Sequence, residues 1–144
     1  MAGFEPKIVV FLCEYCSYAA ADLAGTSRMH YPPNVRIIRM MCTGRLDLVY
    51  ILEAFRLGAD GVLVAGCHFG DCHFRSGNYK AQRRVALLKR VLEQLGVEQQ
   101  RLRFETVSAG EAERFVRIVT EVVDEITKLG PSKIPVQVSE QFKP

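Results

Sequence analysis

Five cysteines stand in the first 72 residues of this 144-residue chain, and none in the remaining 72. Cys13 and Cys16 form a CxxC behind the apolar run Ile8–Leu12, Cys42 follows Val35–Met41, and Cys67 and Cys72 form a CxxxxC behind Gly61–Gly66. Thiolates are soft ligands that select zinc, copper(I) and iron–sulfur clusters, and a cluster asks for about four of them held at fixed separation. A CxxC pair can also attack disulfides or supply half of a zinc site. Each motif alone is common. Their placement behind three apolar runs points first to a thiolate-ligated metal or cluster centre and second to thiol redox chemistry.

The residues around the cysteines fit that reading. Gly44, Gly66, Gly70 and Gly77 let backbone N–H groups approach sulfur with no Cβ in the way. Leu12, Tyr15, Met40, Met41 and Phe69 are apolar neighbours expected to limit water around the site. His68 and His73 flank the loop cysteines and read as hydrogen-bonding loop histidines rather than ligands, His30 as structural, and Asp71 as a loop cap.

Positioning the cysteines requires regular elements. Lys7–Leu12, Val35–Met41, Val62–Ala65 and Leu102–Val107 read as strands, the third short, unalternated and so buried on both faces. Helices are expected over Ser17–Ala24 (ended by Gly25), Arg45–Leu57 (ended by Gly58), Tyr79–Leu95, and from a Ser108/Glu111 capping box to Leu129, before Gly130-Pro131. Strict alternation implies a single doubly wound α/β domain over residues 1–131, with about four parallel strands and helices on both faces. Such sheets bind ligands at the carboxyl ends of their strands, where all five cysteines would meet. Residues 132–144, with Ile134, Val136, Val138 and Phe142, read as an extended tail that docks on a partner.

The bulk properties exclude more than they identify. Net charge is +3, and the basic residues of the second half alternate with Glu, which describes solvated helix faces rather than a nucleic-acid footprint. No apolar run approaches the roughly 18 residues of a membrane span. Met1–Lys7 lacks a basic-then-apolar leader, so a cytoplasmic protein is expected, where clustered cysteines bind metal more often than they pair. Neither a GxGxxG nor a P-loop follows the first strand.

Four stretches together carry a family resemblance: Phe11-Leu-Cys-Glu-Tyr-Cys16; Ala21-Asp-Leu-Ala-Gly25 leading to Tyr31-Pro-Pro-Asn-Val-Arg36; Met41-Cys-Thr-Gly-Arg45; and Gly66-Cys-His-Phe-Gly-Asp-Cys-His73 with Gly77-Asn-Tyr-Lys80. Over roughly residues 7 to 130 the chain resembles the small iron–sulfur delta (D) subunit of methyl-viologen-reducing nickel–iron hydrogenase. The resemblance implies a 2Fe–2S electron carrier that makes no bond in a substrate. Its implied partners are a hydrogenase, or a formate dehydrogenase, and the flavin-containing A subunit of heterodisulfide reductase, in a complex that bifurcates electrons. The implied ligands are four of Cys13, Cys16, Cys42, Cys67 and Cys72, and Arg45 and Lys80 become candidates for offsetting cluster charge. Phe69 stands where the family pattern suggests proline. Two other readings remain from the residues alone: a thiol–disulfide oxidoreductase using Cys13 and Cys16, and a zinc-binding interaction module.

Overall fold

Four short apolar runs become four parallel strands, β1 (Ile8–Cys13), β2 (Val35–Met40), β3 (Gly61–Gly66) and β4 (Leu102–Thr106), ordered β2-β1-β3-β4. The structure, a computed structural model, describes residues 3–134. The last ten residues of the tail expected to dock on a partner lie outside them. In the parallel register Cys13 pairs with Met40, Leu12 with Ala65, and Gly66 with Thr106, so the carboxyl ends of all four strands lie level along one edge.

Side-chain alternation divides the core. Val10, Leu12, Leu63 and Ala65 face α1 (Ser17–Thr26) and α4 (Ala112–Leu129), packing with Phe115, Val119 and Val122. Phe11, Val62 and Val64 face the other way, onto Phe55 of α2 (Leu48–Arg56) and Leu88 of α3 (Gly77–Gln94). All six residues of β3 are buried, as its unalternated sequence requires. The doubly wound reading holds, with helices on both faces.

Several boundaries differ from the sequence reading, each for a local reason. The first helix does not stop at Gly25; it runs to Thr26, and Arg28 takes the left-handed turn at φ +57°. The expected Arg45–Leu57 helix is two pieces. A single 3₁₀ turn, Thr43–Arg45, follows Cys42, and Asp47 then caps α2 by accepting from Val49 N at 3.0 Å. Before α4 only half of the capping box forms: the Glu111 carboxylate accepts from Ser108 N at 2.9 Å, but the helix itself begins at Ala112. Gly58 and Gly130 do end their helices with positive φ.

The amino-terminal edge of the sheet is closed by a buried polar latch. Asp60 accepts from Lys7 N and Ser132 N, both at 2.9 Å, and Arg101 donates to the Asp60 carbonyl at 2.9 Å and to Glu98 at 2.7 Å. Arg101 is 2% exposed, so its charge is held in the interior by these acceptors. Asp60→Ala leaves the buried N–H of Ser132 and the partly buried N–H of Lys7 without a partner. The expected cost is about 2–3 kcal/mol, read as a lower urea midpoint with an unchanged slope.

Candidate metal centre

Each cysteine reaches the carboxyl edge from a different local device. Cys13 ends β1, and its N–H donates to Ser17 Oγ at 2.8 Å; that hydroxyl donates on to the Ala65 carbonyl at 2.6 Å, tying the start of α1 to both central strands. Cys16 occupies the residue before α1. Cys42 precedes the 3₁₀ turn and accepts from Gly44 N at 3.4 Å. Cys67 follows β3, where Asn78 Nδ2 donates to the carbonyls of Cys67 and His68, both at 3.0 Å. Cys72 lies in the loop before α3.

The sulfurs form a triad, Cys13, Cys16 and Cys67, and a pair, Cys42 and Cys72; all five are unpaired and between 1% and 9% exposed. Cys13, Cys16 and Cys67 lie within 4.8 Å of one another. Sγ of Cys13 is 3.8 Å from Cys67, Cys42 is 3.8 Å from Cys72, and Cys16 is 2.9 Å from Cys67. Two thiolates bound at about 2.3 Å to one tetrahedral metal stand about 3.8 Å apart. Two of the three contacts therefore already have the spacing of thiolates that share a metal.

Electrostatics divides the sulfurs, holding Cys13 and Cys72 below their ordinary value and Cys16, Cys42 and Cys67 above it. Hydrogen bonds from Cys16, then Cys67, hold the Cys13 thiol at about 3 against burial, which pushes it up. Sharing a proton with Cys13 raises Cys67 to about 11. Cys16 moves up as well, first through its contact with Cys13, then with Cys67, then through burial. Burial raises Cys42, opposed by the Gly44 N–H. Burial pushes Cys72 upward too, but the N–H groups of Asn78, Phe74 and Gly77 outweigh it and the thiol lies below its ordinary value. Without metal, one thiolate of the triad is thus held by protons on its neighbours, and a metal ion would displace those protons.

Two glycines make room for the sulfurs. A Cβ on Gly77 would overlap Cys42 Sγ, and one on Gly44 would lie 2.6 Å from Gly77 Cα. The backbones of the 3₁₀ turn and of α3 thus meet with a sulfur wedged beside them. Arg84 fixes that turn from α3, donating to the carbonyls of Gly44 at 2.6 Å and Leu46 at 2.9 Å.

The histidines are held elsewhere. His68 bridges the Thr106 hydroxyl at 2.9 Å and the Glu111 carboxylate, and His73 stacks on Tyr15 at 4.0 Å between ring centroids. The apolar shield is a partial correction. Leu12 turns into the core with Val10 because strand residues alternate, while Tyr15, Met41 and Phe69 are about half exposed. Phe69 packs on Tyr79 at 4.9 Å. Arg45 and Lys80 are exposed. Ser17, Asn78 and Arg84 escape sequence reading because their partners are distant backbone carbonyls; only the adjacency of Ser17 to Cys16 and of Asn78 to Gly77 signals them.

Known proteins resemble the chain over most of its length. A family model described as methyl-viologen-reducing hydrogenase, delta subunit, matches residues 8–130. The chain is 52% identical over 129 residues to the iron-sulfur D subunit of the F420-non-reducing hydrogenase vhc of Methanococcus voltae, covering 90% of each chain. It is 49% identical over 130 residues to the iron-sulfur D subunit of the F420-non-reducing hydrogenase of Archaeoglobus profundus, covering 90% of this chain and 95% of that one. It is also 49% identical over 126 residues to the A subunit of the ferredoxin:CoB-CoM heterodisulfide reductase of Methanosarcina mazei, covering 88% of this chain but 16% of that protein.

Proposed function

The chain belongs to the delta-subunit family of methyl-viologen-reducing hydrogenase, and on that premise we propose that it is a non-catalytic electron carrier built around a 2Fe–2S cluster. It relays electrons between a hydrogenase, or a formate dehydrogenase, and the flavin-bearing A subunit of heterodisulfide reductase, within an electron-bifurcating complex. The observation that carries the reading is a buried triad of thiols, Cys13, Cys16 and Cys67, together with a buried pair, Cys42 and Cys72, with Cys13–Cys67 and Cys42–Cys72 each at 3.8 Å. The Methanosarcina relative supports the A-subunit partner, since a segment similar to this chain is part of that longer polypeptide.

The residues fit the cluster. The donors are soft, buried and flanked by backbone N–H groups, and glycine hydrogens replace side chains against Cys42. The spacing supports Cys13 with Cys67 as one pair and Cys42 with Cys72 as the other. The Cys16–Cys67 contact, at 2.9 Å, is closer than two thiolates on one metal stand, so these two do not have the spacing of a ligand pair as they lie. When bound, the cluster supplies one-electron chemistry. The chain supplies N–H groups that stabilise negative sulfur, Ser17 and Asn78 that fix the strand ends, and burial that limits water. Among the described residues no helix is long and apolar enough to cross a bilayer.

Burial weighs against the thiol–disulfide reading. An attacking thiolate must reach its substrate, yet Cys13 is 1% and Cys16 5% exposed. Anaerobic purification followed by iron, acid-labile sulfide and zinc analysis separates the rest. Two irons and two sulfides per chain, with a visible band that bleaches on reduction, are expected. One zinc without iron sinks the electron-carrier reading.

A further inference from the structure

The two helical layers expose different surfaces. Among the described residues, α1 and α4 together leave one large apolar side chain exposed, Leu23. The layer of α2 and α3 exposes Val49, Leu52, Leu57, Leu87, Val91 and Leu95, with Leu57 at 72%, Leu95 at 69%, Val49 at 61% and Leu87 at 56%. Single apolar residues on a surface are ordinary, but a contiguous set marks an interaction site.

Helical phase brings these side chains together. Arg84 of α3 donates to the Gly44 and Leu46 carbonyls at 2.6 and 2.9 Å, so that side of α3 faces the segment leading into α2. Leu87, Val91 and Leu95 follow Arg84 at i+3, i+7 and i+11, on the same side. On α2, Tyr50 lines the open groove over β2, and Leu52, about 200° further round the helix, turns the other way, toward α3. An apolar seam therefore runs between the two helices. At the start of α3, Tyr79 packs on Phe69 of the cysteine loop at 4.9 Å, which joins the seam to the cysteine edge.

Charge divides the layers as well. α3 carries Lys80, Arg83, Arg84, Lys89 and Arg90 against Glu93 alone, whereas α1 and α4 carry five carboxylates against three cations. The one carboxylate of α2, Glu53, is held by Arg56. A second copy offering the same face would set α3 against α3, like charge on like. A copy offering its α1 and α4 face would stack head to tail without closing, because the two layers lie on opposite faces of the sheet. A bilayer accepts a basic, apolar helix, but it is flat and cannot fill the groove of about 990 Å³ beside α2.

We propose that the α2 and α3 face docks a different protein subunit, one whose contact surface is apolar at its centre and rimmed by Asp and Glu that meet Arg83 and Arg90. That a partner subunit exists rests on the carrier reading above; the choice of face does not.

The chain carrying its metal centre is titrated separately against the A subunit of heterodisulfide reductase and against the hydrogenase. Binding to one of them, weakened several-fold as salt screens the charges, is expected. Leu87→Glu should weaken it at least tenfold, and so should Arg83→Glu/Arg90→Glu. Arg117→Glu, on the exposed side of α4, should leave it unchanged. Circular dichroism and iron content show that each variant has folded; if Leu87→Glu has not, the arginine pair, which removes no apolar contact, decides. Variants that bind like the parent overturn the proposed face and leave the carrier reading standing, as does an equal loss in Arg117→Glu. A parent that binds neither protein removes the carrier reading and this inference with it. Binding to phosphatidylglycerol vesicles instead, or self-association, abolished by Leu87→Glu, makes a membrane or a second copy the occupant and also overturns the proposal.

Discussion

Gly77→Ala strips the protein of its metal centre while leaving the fold intact. Gly77 is the first residue of α3, and by helix propensity alone alanine there is favoured by up to about 1 kcal/mol. Against this, the new methyl overlaps Cys42 Sγ and meets Gly44 N at 3.2 Å. In the metal-free protein Cys42 can rotate away, and overpacking of that kind costs about 1–3 kcal/mol, so the net change in folding stability is small. A metal-bound sulfur has no such freedom. Iron and sulfide content should fall by at least roughly tenfold, since 1.4 kcal/mol is already a factor of ten, while the thermal midpoint of the metal-free protein moves by only a few degrees. Gly44→Ala, whose methyl would lie 2.6 Å from the backbone Cα of Gly77, meets no side chain that can yield and should lower folding stability as well as iron content. Gly110→Ala, which meets nothing within 4 Å, is the control and should keep its full complement. Normal iron content in Gly77→Ala would mean that Cys42 does not ligate the metal.

The contrast between Gly77 and the cysteines marks how far the sequence can be read. Apolar runs of period-free strand residues, each followed by cysteine, place the sulfurs at one edge as soon as the sheet is taken as parallel, and the register puts them there. The edge, the meeting of Cys13, Cys16 and Cys67 on it and the burial of β3 are therefore legible. What escapes is non-local. The approach of the 3₁₀ turn to α3 depends on two glycines 33 positions apart in sequence, and nothing in either segment announces the other. The start of α3 at Gly77 rather than Tyr79 escapes because apolar periodicity begins only at Ala81 and Val85. Leu12 fails as a shield for the opposite reason: it adjoins Cys13 in sequence, but the two-residue alternation sends it into the helix-covered core. Asp47 displaces Thr43-Gly44 as the start of α2 because its carboxylate reaches Val49 N, a choice visible only once the turn after Cys42 is drawn in against α3.

Cys16→Ser keeps the cluster, and serine at any of the other four positions loses it. The argument is geometric. Cys13 with Cys67 and Cys42 with Cys72 stand 3.8 Å apart, the separation of two thiolates on one tetrahedral metal, whereas Cys16 touches Cys67 at 2.9 Å. A cluster takes about four thiolates, and contact with Cys13 and Cys67, together with burial, raises the Cys16 thiol. Serine at position 16 keeps a hydroxyl oxygen that can accept from Cys67 Sγ, and it occupies the residue before α1, where serine is a favoured cap. Changes to groups that only orient a ligand already cost about 10- to 100-fold in metal affinity, so losing a ligand should cost more. Iron per chain should stay near two in Cys16→Ser and fall well below half of that in Cys13→Ser, Cys42→Ser, Cys67→Ser and Cys72→Ser, with each variant's far-ultraviolet circular dichroism showing that it has folded. Full iron in Cys13→Ser with loss in Cys16→Ser would exchange their roles and leave Cys13 as the non-ligating thiol beside the cluster's ligands. Full iron in Cys42→Ser or Cys72→Ser would instead confine the metal to the triad of Cys13, Cys16 and Cys67, a three-thiolate site that does not hold a 2Fe–2S cluster by cysteine alone.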